Sequence, residues 1–268
     1  MNIVEEYKMK KITFEERVKI IYLNNLLNRS LKLIRLGIKE LENVKGINHE
    51  DYYFVFLYLS IGFELLMKIM ISFKSYKDNK SFPTEEKLRR IGHDLDKMRK
   101  DIIKNYDKIP GDIIEKYREI ENDKIFISKN ILLIYLIKLI AKFAIGDRYF
   151  ELNYATREQI YKKTIGNKKE INYPEDTIAK MNELVHNYVK KDHPSLADKM
   201  NFDDPNNLWV EANRLHVIPP LKKFVGTLAR QFVFGILGDE VIKCRSINTI
   251  KRYAYLKDYK VEDKDLDN

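Results

Sequence analysis

The sequence predicts an all-α fold: a four-helix up-down bundle with additional C-terminal helices. Three observations carry this expectation. Apolar residues recur at steps of three and four in segment after segment, the period of a helix with one buried face. No alternation of apolar and polar residues between turn dipeptides competes with it over the first half of the chain. With 268 residues, 44% hydrophobic and 12% aromatic, the chain can bury a sizeable core, and ten glycines and seven prolines exclude collagen-like and low-complexity classes.

The elements follow in order. Thr13-Phe14-Glu15-Glu16 has capping-box spacing, so the threonine hydroxyl and the glutamate can each satisfy an amide at a helix start. Ile20, Leu23, Leu27, Leu31, Ile34, Ile38 and Leu41 then form one stripe, with Gly46 as the stop. Asn48 caps a second helix from about His49 to Lys74, apolar almost all round between Tyr52 and Ile61 and therefore the buried centre of the bundle. A polar connection through Phe82-Pro83-Thr84 leads to a third helix carrying Leu88, Ile91, Leu95, Met98 and Ile102. Pro110-Gly111 breaks the chain before a fourth, about 112–145, with Ile113, Tyr117, Ile120, Ile127, Ile131 and Ile134, ended by Gly146-Asp147.

The second half is less regular. Residues 161–173 read as a polar, basic loop or hinge. Pro174-Glu175-Asp176 opens a helix with Ile178, Met181, Val185 and Tyr188 on one face. Residues 192–207, with Pro194 and Pro205, read as an extended connection, and Trp209 to His216 as a short helix. Pro219-Pro220 starts the last long one, bearing Phe224, Leu228, Phe232 and Ile236, and the tail beyond Tyr259 is expected to fray. The division expected is a bundle over 13–165 and a helical extension or small second domain over 166–268.

Charge and cysteine usage narrow the function classes. Forty-nine Lys and Arg against 40 Asp and Glu leave a net +9, which attracts nucleic acid or anionic lipid. A single cysteine, Cys244, excludes a disulfide framework and a thiolate zinc cage and fits a reducing compartment. Lys243 and Arg245 beside it can lower a thiol pKa, against the plainer reading of a buried cysteine. The greasiest stretch, Ile131 to Ile137, is far short of the roughly 20 apolar residues of a spanning helix. With no targeting segment in view, the expectation is a soluble, cytoplasmic protein without a membrane partner.

Several chemistries lack their signatures. No phosphate-binding or dinucleotide glycine loop and no serine nucleophile elbow occurs. His186 and His193 stand seven apart, two helical turns, so both imidazoles could face a metal; Pro194 argues that the helix has ended by then, and no metal or cofactor is expected. The informative stretch is Phe63 to Leu95. Glu64 and Lys68 are four apart on the buried helix, in the orientation that pairs well, and an ion pair beside so apolar a run needs something polar to meet it. Gly92-His93-Asp94-Leu95 follows. Between Lys74 and Lys100 nine basic residues face five acids, a net +4, with Tyr76 and Phe82 interleaved. Such a segment can hold single-stranded RNA by phosphate contact and base stacking, or be a solvated helix face.

This order of features resembles the HEPN superfamily (higher eukaryotes and prokaryotes nucleotide-binding) over about residues 13–165. Its members carry a helix reading roughly Ala-Glu-x-x-x-Lys-Ala-Leu and then His-Asp-Leu or His-Ser-Leu opening the next helix, matched here by Glu64, Lys68 and His93-Asp94-Leu95. Many also carry Arg-Tyr-Pro, matched by Arg148-Tyr149 with Phe150 in place of the proline. The resemblance implies a helical bundle, often dimeric, that binds nucleotide or RNA or is a metal-independent ribonuclease in defence or toxin–antitoxin systems. Ribonuclease members place Arg four to six residues before a His; no histidine of this chain is so preceded.

A ribonuclease of this type needs a base near the 2′-hydroxyl and a cation on the phosphate. The expected catalytic residues are His93 as base and Arg148, with Lys68, Lys87, Arg89 and Arg90 as RNA- or nucleotide-binding cations and Glu64–Lys68 as a structural ion pair. The plainer reading has His93 at a helix start and Arg148 on helix C-terminal carbonyls. In an up-down bundle, helix four runs parallel to helix two, so Lys68, His93 and Arg148 are expected to converge at one end. The alternative function is a non-enzymatic interaction module that forms a homo-oligomer or binds a partner protein, with aromatic-rich helices such as Leu221 to Leu237 serving either the core or an interface.

Overall fold

A computed structural model of the chain describes residues 13–44, 49–109, 111–146, 174–200, 208–239, 241 and 247–255. Among these, 87% are helical and none is in a strand, so the fold is all-α.

Helix α1 (Phe14–Asn43) opens with the full capping box: the Glu16 amide donates to Thr13 Oγ1 at 3.2 Å and the Thr13 amide to Glu16 Oε2 at 2.7 Å. Its stripe from Leu27 to Leu41 is buried against α2 (His49–Asn79), which returns antiparallel. The Tyr76 hydroxyl donates to Glu16 Oε1 at 3.0 Å where the two helices part company. Midway they approach closely at glycines. A Cβ on Gly62 would lie 2.7 Å from Ile34 Cγ1 and 2.9 Å from the Ile34 amide nitrogen, so only the missing side chain lets the backbones meet.

Helix α2 is the axis of the molecule: Tyr52, Phe63, Met67 and Met70 are wholly buried along it. By length and composition alone it is also apolar enough to cross a membrane; here 56% of its most apolar window is buried inside the protein, while Phe54 is 49% exposed.

The expected third helix is two. Helix α3 (Glu85–Ile91) ends where Gly92 takes φ 69°, a left-handed turn that favours glycine, and α4 (Leu95–Ile103) restarts with the Asp94 carboxylate accepting from the Lys97 amide at 3.0 Å. The uninterrupted three-and-four spacing masked this break because both helices present their apolar residues to the same core. Helix α4 then runs parallel to α2, not antiparallel. Its start places His93 at Glu64, and the 3-10 turn after it (Lys104–Lys108) places Asn105 beside Lys74 and Lys77.

The expected fourth helix is three: α5 (Gly111–Lys116), α6 (Glu119–Lys129) and α7 (Ile131–Ile145). Asn130 separates the last two and caps α7, its side-chain oxygen accepting from the Leu133 amide at 2.8 Å. Arg99 of α4 reaches Ile127 just before α7, whereas Phe143 near its end lies 5.6 Å from Phe56 and 5.3 Å from Tyr53 between ring centres. Helix α7 therefore runs antiparallel to α2, and the expected parallel arrangement is corrected.

Beyond α8 (Pro174–Asp192) and α9 (Pro194–Ala197), the expected short helix and long helix form one rod: α10 (Leu208–Ala212), a π-helical turn (Asn213–Val217) and α11 (Ile218–Val233). Pro219 and Pro220 have no amide hydrogen to give, and a wider turn just before them shifts the register so that the helix continues. This rod lies parallel to α2 along its length. Asn213 meets the Tyr52 hydroxyl at 3.4 Å, Phe224 meets Phe63 at 5.2 Å and Phe232 meets Phe73 at 6.4 Å. Burial pushes the Tyr52 phenol up to about 12 despite the Asn213 bond. The C-terminal helices, closed by α12 (Ile247–Tyr255), thus join the core of the first ones; the expected boundary at 165/166 falls outside the described residues.

Candidate functional site

Glu64 holds two partners, one on each carboxylate oxygen. Lys68 Nζ donates to Oε1 at 2.8 Å from the next turn of α2, and His93 Nδ1 lies 2.7 Å from Oε2. The carboxylate is 13% exposed, Lys68 is 20% and His93 is 48%, so the cluster passes from the helix packing out to water within three side chains. Two caps place the imidazole. Gly92 ends α3, Asp94 starts α4, and His93 stands at the elbow between them.

The geometry sets the tautomer. A carboxylate can only accept, so the ring proton facing Glu64 sits on Nδ1, and Nε2 of the neutral imidazole keeps a free lone pair. Lys68 balances the carboxylate from the other side. The arrangement is a cation, an oriented acid and a histidine whose outward nitrogen can accept a proton or, when charged, donate to an anion.

Around this elbow, α3 carries Lys87, Arg89 and Arg90, all exposed. Arg89 pairs with Glu85 at 2.6 Å and Arg90 with Glu86, each one turn earlier, with both arginines more than three-quarters exposed. Such pairs contribute little in water, so a phosphate can take the place of either glutamate.

Arg148 lies outside the described residues. The helix that leads to it ends beside Tyr53 and Phe56, and Lys68 lies twelve residues beyond Phe56, about 18 Å along the axis. What is corrected is the expected parallel fourth helix: α7 runs antiparallel to α2.

The basic run from Lys74 to Lys100 is also divided by the fold. Arg99 is buried, donating to Asp96 through Nε at 2.9 Å and Nη2 at 2.7 Å and to the Ile127 carbonyl at 2.6 Å. Burial pushes the Asp96 carboxyl up, but hydrogen bonds from Lys100 and Arg99 outweigh it and hold the group below the usual carboxylate value. Tyr76 and Phe82, read as base-stacking candidates, stack on each other 4.5 Å apart, and Tyr76 is 5% exposed. Facing solvent are the α3 cations and the elbow, together with Lys77, Lys80, Lys97 and Lys100.

Among the described residues no group of three His, Cys, Asp or Glu is arranged to hold a metal. Helix α8 ends at Asp192, as Pro194 suggested, and His193 neighbours His216 of the π-helical turn, ring centres 5.9 Å apart. Burial, with His193 nearby, holds His216 below the usual imidazole value although Asp192 sits 3.8 Å from its Nδ1. Sequence reasoning did not associate these two histidines because they are far apart in the chain and no local period links them. Cys244 lies outside the described residues. No family model matches this chain, and neither a curated protein nor a solved structure does.

Proposed function

We propose that the chain is an RNA- or nucleotide-directed, HEPN-like protein of the prokaryotic defence or toxin–antitoxin type, acting in the cytoplasm. The observation that carries the reading is the Lys68–Glu64–His93 relay at an exposed elbow, with Lys87, Arg89 and Arg90 on the helix that leads into it. Nucleic-acid phosphates run across α3, and His93 Nε2 faces either a phosphate or the 2′-hydroxyl next to it. If the strand is cut, His93 takes the 2′-hydroxyl proton, the resulting oxyanion attacks the adjacent phosphorus and the P–O5′ bond breaks, leaving a 2′,3′-cyclic phosphate and a 5′-oxygen that takes a proton from water to become a hydroxyl. Lys68 and the α3 arginines would supply the cations that an Arg-x4-6-His pattern supplies in family ribonucleases.

Binding is tested by the salt dependence of affinity for a single-stranded RNA. A multi-phosphate contact loses orders of magnitude between about 50 and 200 mM salt, and His93→Ala should weaken binding with the thermal midpoint nearly unchanged. Cleavage is tested by incubating RNA with the protein in EDTA and looking for cyclic-phosphate ends. Absence of binding at low salt refutes the reading.

The second reading, a non-enzymatic module that pairs with itself or a partner protein, draws on exposed apolar side chains. Phe14 is 84%, Tyr22 66% and Ile21 59% exposed on the first turns of α1. Isolated exposed apolar residues are common, and it is their grouping on one helix that favours an interface. Sedimentation of the wild type against Ile21→Lys/Tyr22→Lys distinguishes the two: a lower mass in the variant with RNA binding intact supports an interface alongside the first reading, and a lower mass without any RNA binding supports the second alone.

A further inference from the structure

Helix α1 carries a second stripe besides its buried one. Tyr22, Leu26, Arg29, Leu33, Leu36 and Glu40 follow one another at steps of four and three, the seven-residue repeat of a helix that lies along another helix. None of the six is buried. Leu26 packs against the core, whereas Leu33 and Leu36 do not. On α2, Phe54, Tyr58, Ile61 and Leu65 form a matching row at steps of four, three and four, with Phe54 49% exposed and the other three partly exposed.

The two rows lie level. Gly37 approaches Leu59 and Gly62 approaches Ile34, so Leu33 and Leu36 run alongside Ile61 and its neighbours. On each helix the residues at that crossing separate the outward row from the core-facing residues, Leu31 and Ile38 on α1 and Phe56 and Phe63 on α2. The hairpin of α1 and α2 therefore turns one apolar face to the core and a second, shallower one outward. A contiguous outward apolar face edged by charge marks a protein interface.

The charges of the stripe say what covers it. Among the described residues neither Arg29 nor Glu40 has a hydrogen-bond or ion-pair partner. The two are equally spaced about the point midway between Ile34 and Arg35, and Leu33 and Leu36 are equally spaced about the same point. A two-fold axis there lays α1 antiparallel on the α1 of a second copy. Arg29 then faces the partner's Glu40, Leu33 faces the partner's Leu36, and each pair occurs twice. About 16 Å of helix separates Arg29 from Glu40, so both ion pairs fit well within α1. A parallel arrangement would instead set Arg29 against Arg29 and Glu40 against Glu40. Lys32 and Lys39 border the seam as exposed rim charges, where water and salt screen their repulsion.

We infer that the outward rows of α1 and α2 form the contact between two copies of this chain, antiparallel and centred between Ile34 and Arg35. The inference rests on the self-pairing reading, to which it gives a face and a register, and it holds with or without RNA binding.

The test is sedimentation equilibrium of the full chain. The wild type should be a dimer. Arg29→Glu and Glu40→Arg each set like charges against one another in both pairs and should weaken dimerisation about tenfold or more, with the helical circular-dichroism signal unchanged. An equimolar mixture of the two variants matches each new charge with its opposite and should recover close to wild-type affinity, as should the double variant Arg29→Glu/Glu40→Arg alone. Mixing would not rescue a misfolded chain. A wild type that stays monomeric at high micromolar concentration would overturn this face and the self-pairing reading together. A dimer that both single variants leave intact, or that neither mixing nor the double variant restores, would overturn this face and register alone.

Discussion

Replacing Asp123 by alanine should cost about 3 kcal/mol, and the way the protein then unfolds reports on its organisation. Asp123 of α6 is 3% exposed and accepts three hydrogen bonds from α11: Arg230 Nε at 2.6 Å, Arg230 Nη2 at 2.5 Å and the Thr227 hydroxyl at 3.0 Å. Arg230 also donates to the Ala254 carbonyl of α12 at 2.9 Å, so one carboxylate ties three helices together. Removing one member of a buried ion pair typically costs about 3–5 kcal/mol, because the other charge is left without compensation. Arg230 is 15% exposed and keeps its bond to Ala254, which places the cost at the lower end. Asp123→Asn keeps the shape and one acceptor and should lose roughly half as much. Urea unfolding followed by circular dichroism is the assay. With a slope near 3 kcal/mol per molar, the midpoint of Asp123→Ala should fall by about 1 M at unchanged slope, in a single transition. A loss under about 1 kcal/mol would mean that the pair is well solvated. Two separate transitions would mean that the C-terminal helices form a unit of their own, against the shared core described above.

Three further outcomes follow from particular contacts. Gly62→Ala forces a methyl group into Ile34, including its backbone nitrogen at 2.9 Å, and should destabilise by about 1–3 kcal/mol in thermal or urea unfolding; a neutral effect would show that α1 and α2 can move apart. His216 is held below the ordinary imidazole value of 6.5, so the unfolded chain binds its proton first: stability is full above that pH and declines as pH falls below it, and His216→Asn should shallow the decline in thermal midpoint between pH 7.5 and 5.5. An equally steep decline in the variant would rule His216 out as its source. If RNA crosses α3, Arg89→Ala/Arg90→Ala should reduce the slope of log affinity against log salt by about 1.4 for a single strand, and an unchanged slope would place the phosphates elsewhere.

Periodicity and caps were legible without the fold because they are local. The Thr13–Glu16 box, the α1 stripe and the helix opened by Pro174 each depend on residues within a turn or two of one another. The Glu64–Lys68 pair is local in the same way, and the need to satisfy it beside an apolar run pointed to a polar partner. Helix direction is not local. Whether Leu88 to Ile102 is one helix or two turned on Gly92 adopting a left-handed turn, which the same apolar spacing permits in either case. That single turn reversed the chain and made α4 parallel to α2, and the breaks at Tyr117-Arg118 and Asn130 left α7 antiparallel to α2. The sequence by itself therefore determined the helical class, the caps and which faces are apolar, since these follow from backbone geometry and residue spacing. Only the tertiary structure decided that His93 meets Glu64, that Arg99 and Tyr76 are withdrawn from the surface, and that Lys77 reaches Gly235. Contacts across long stretches of chain depend on the sum of every intervening turn, and no one local pattern contains that sum.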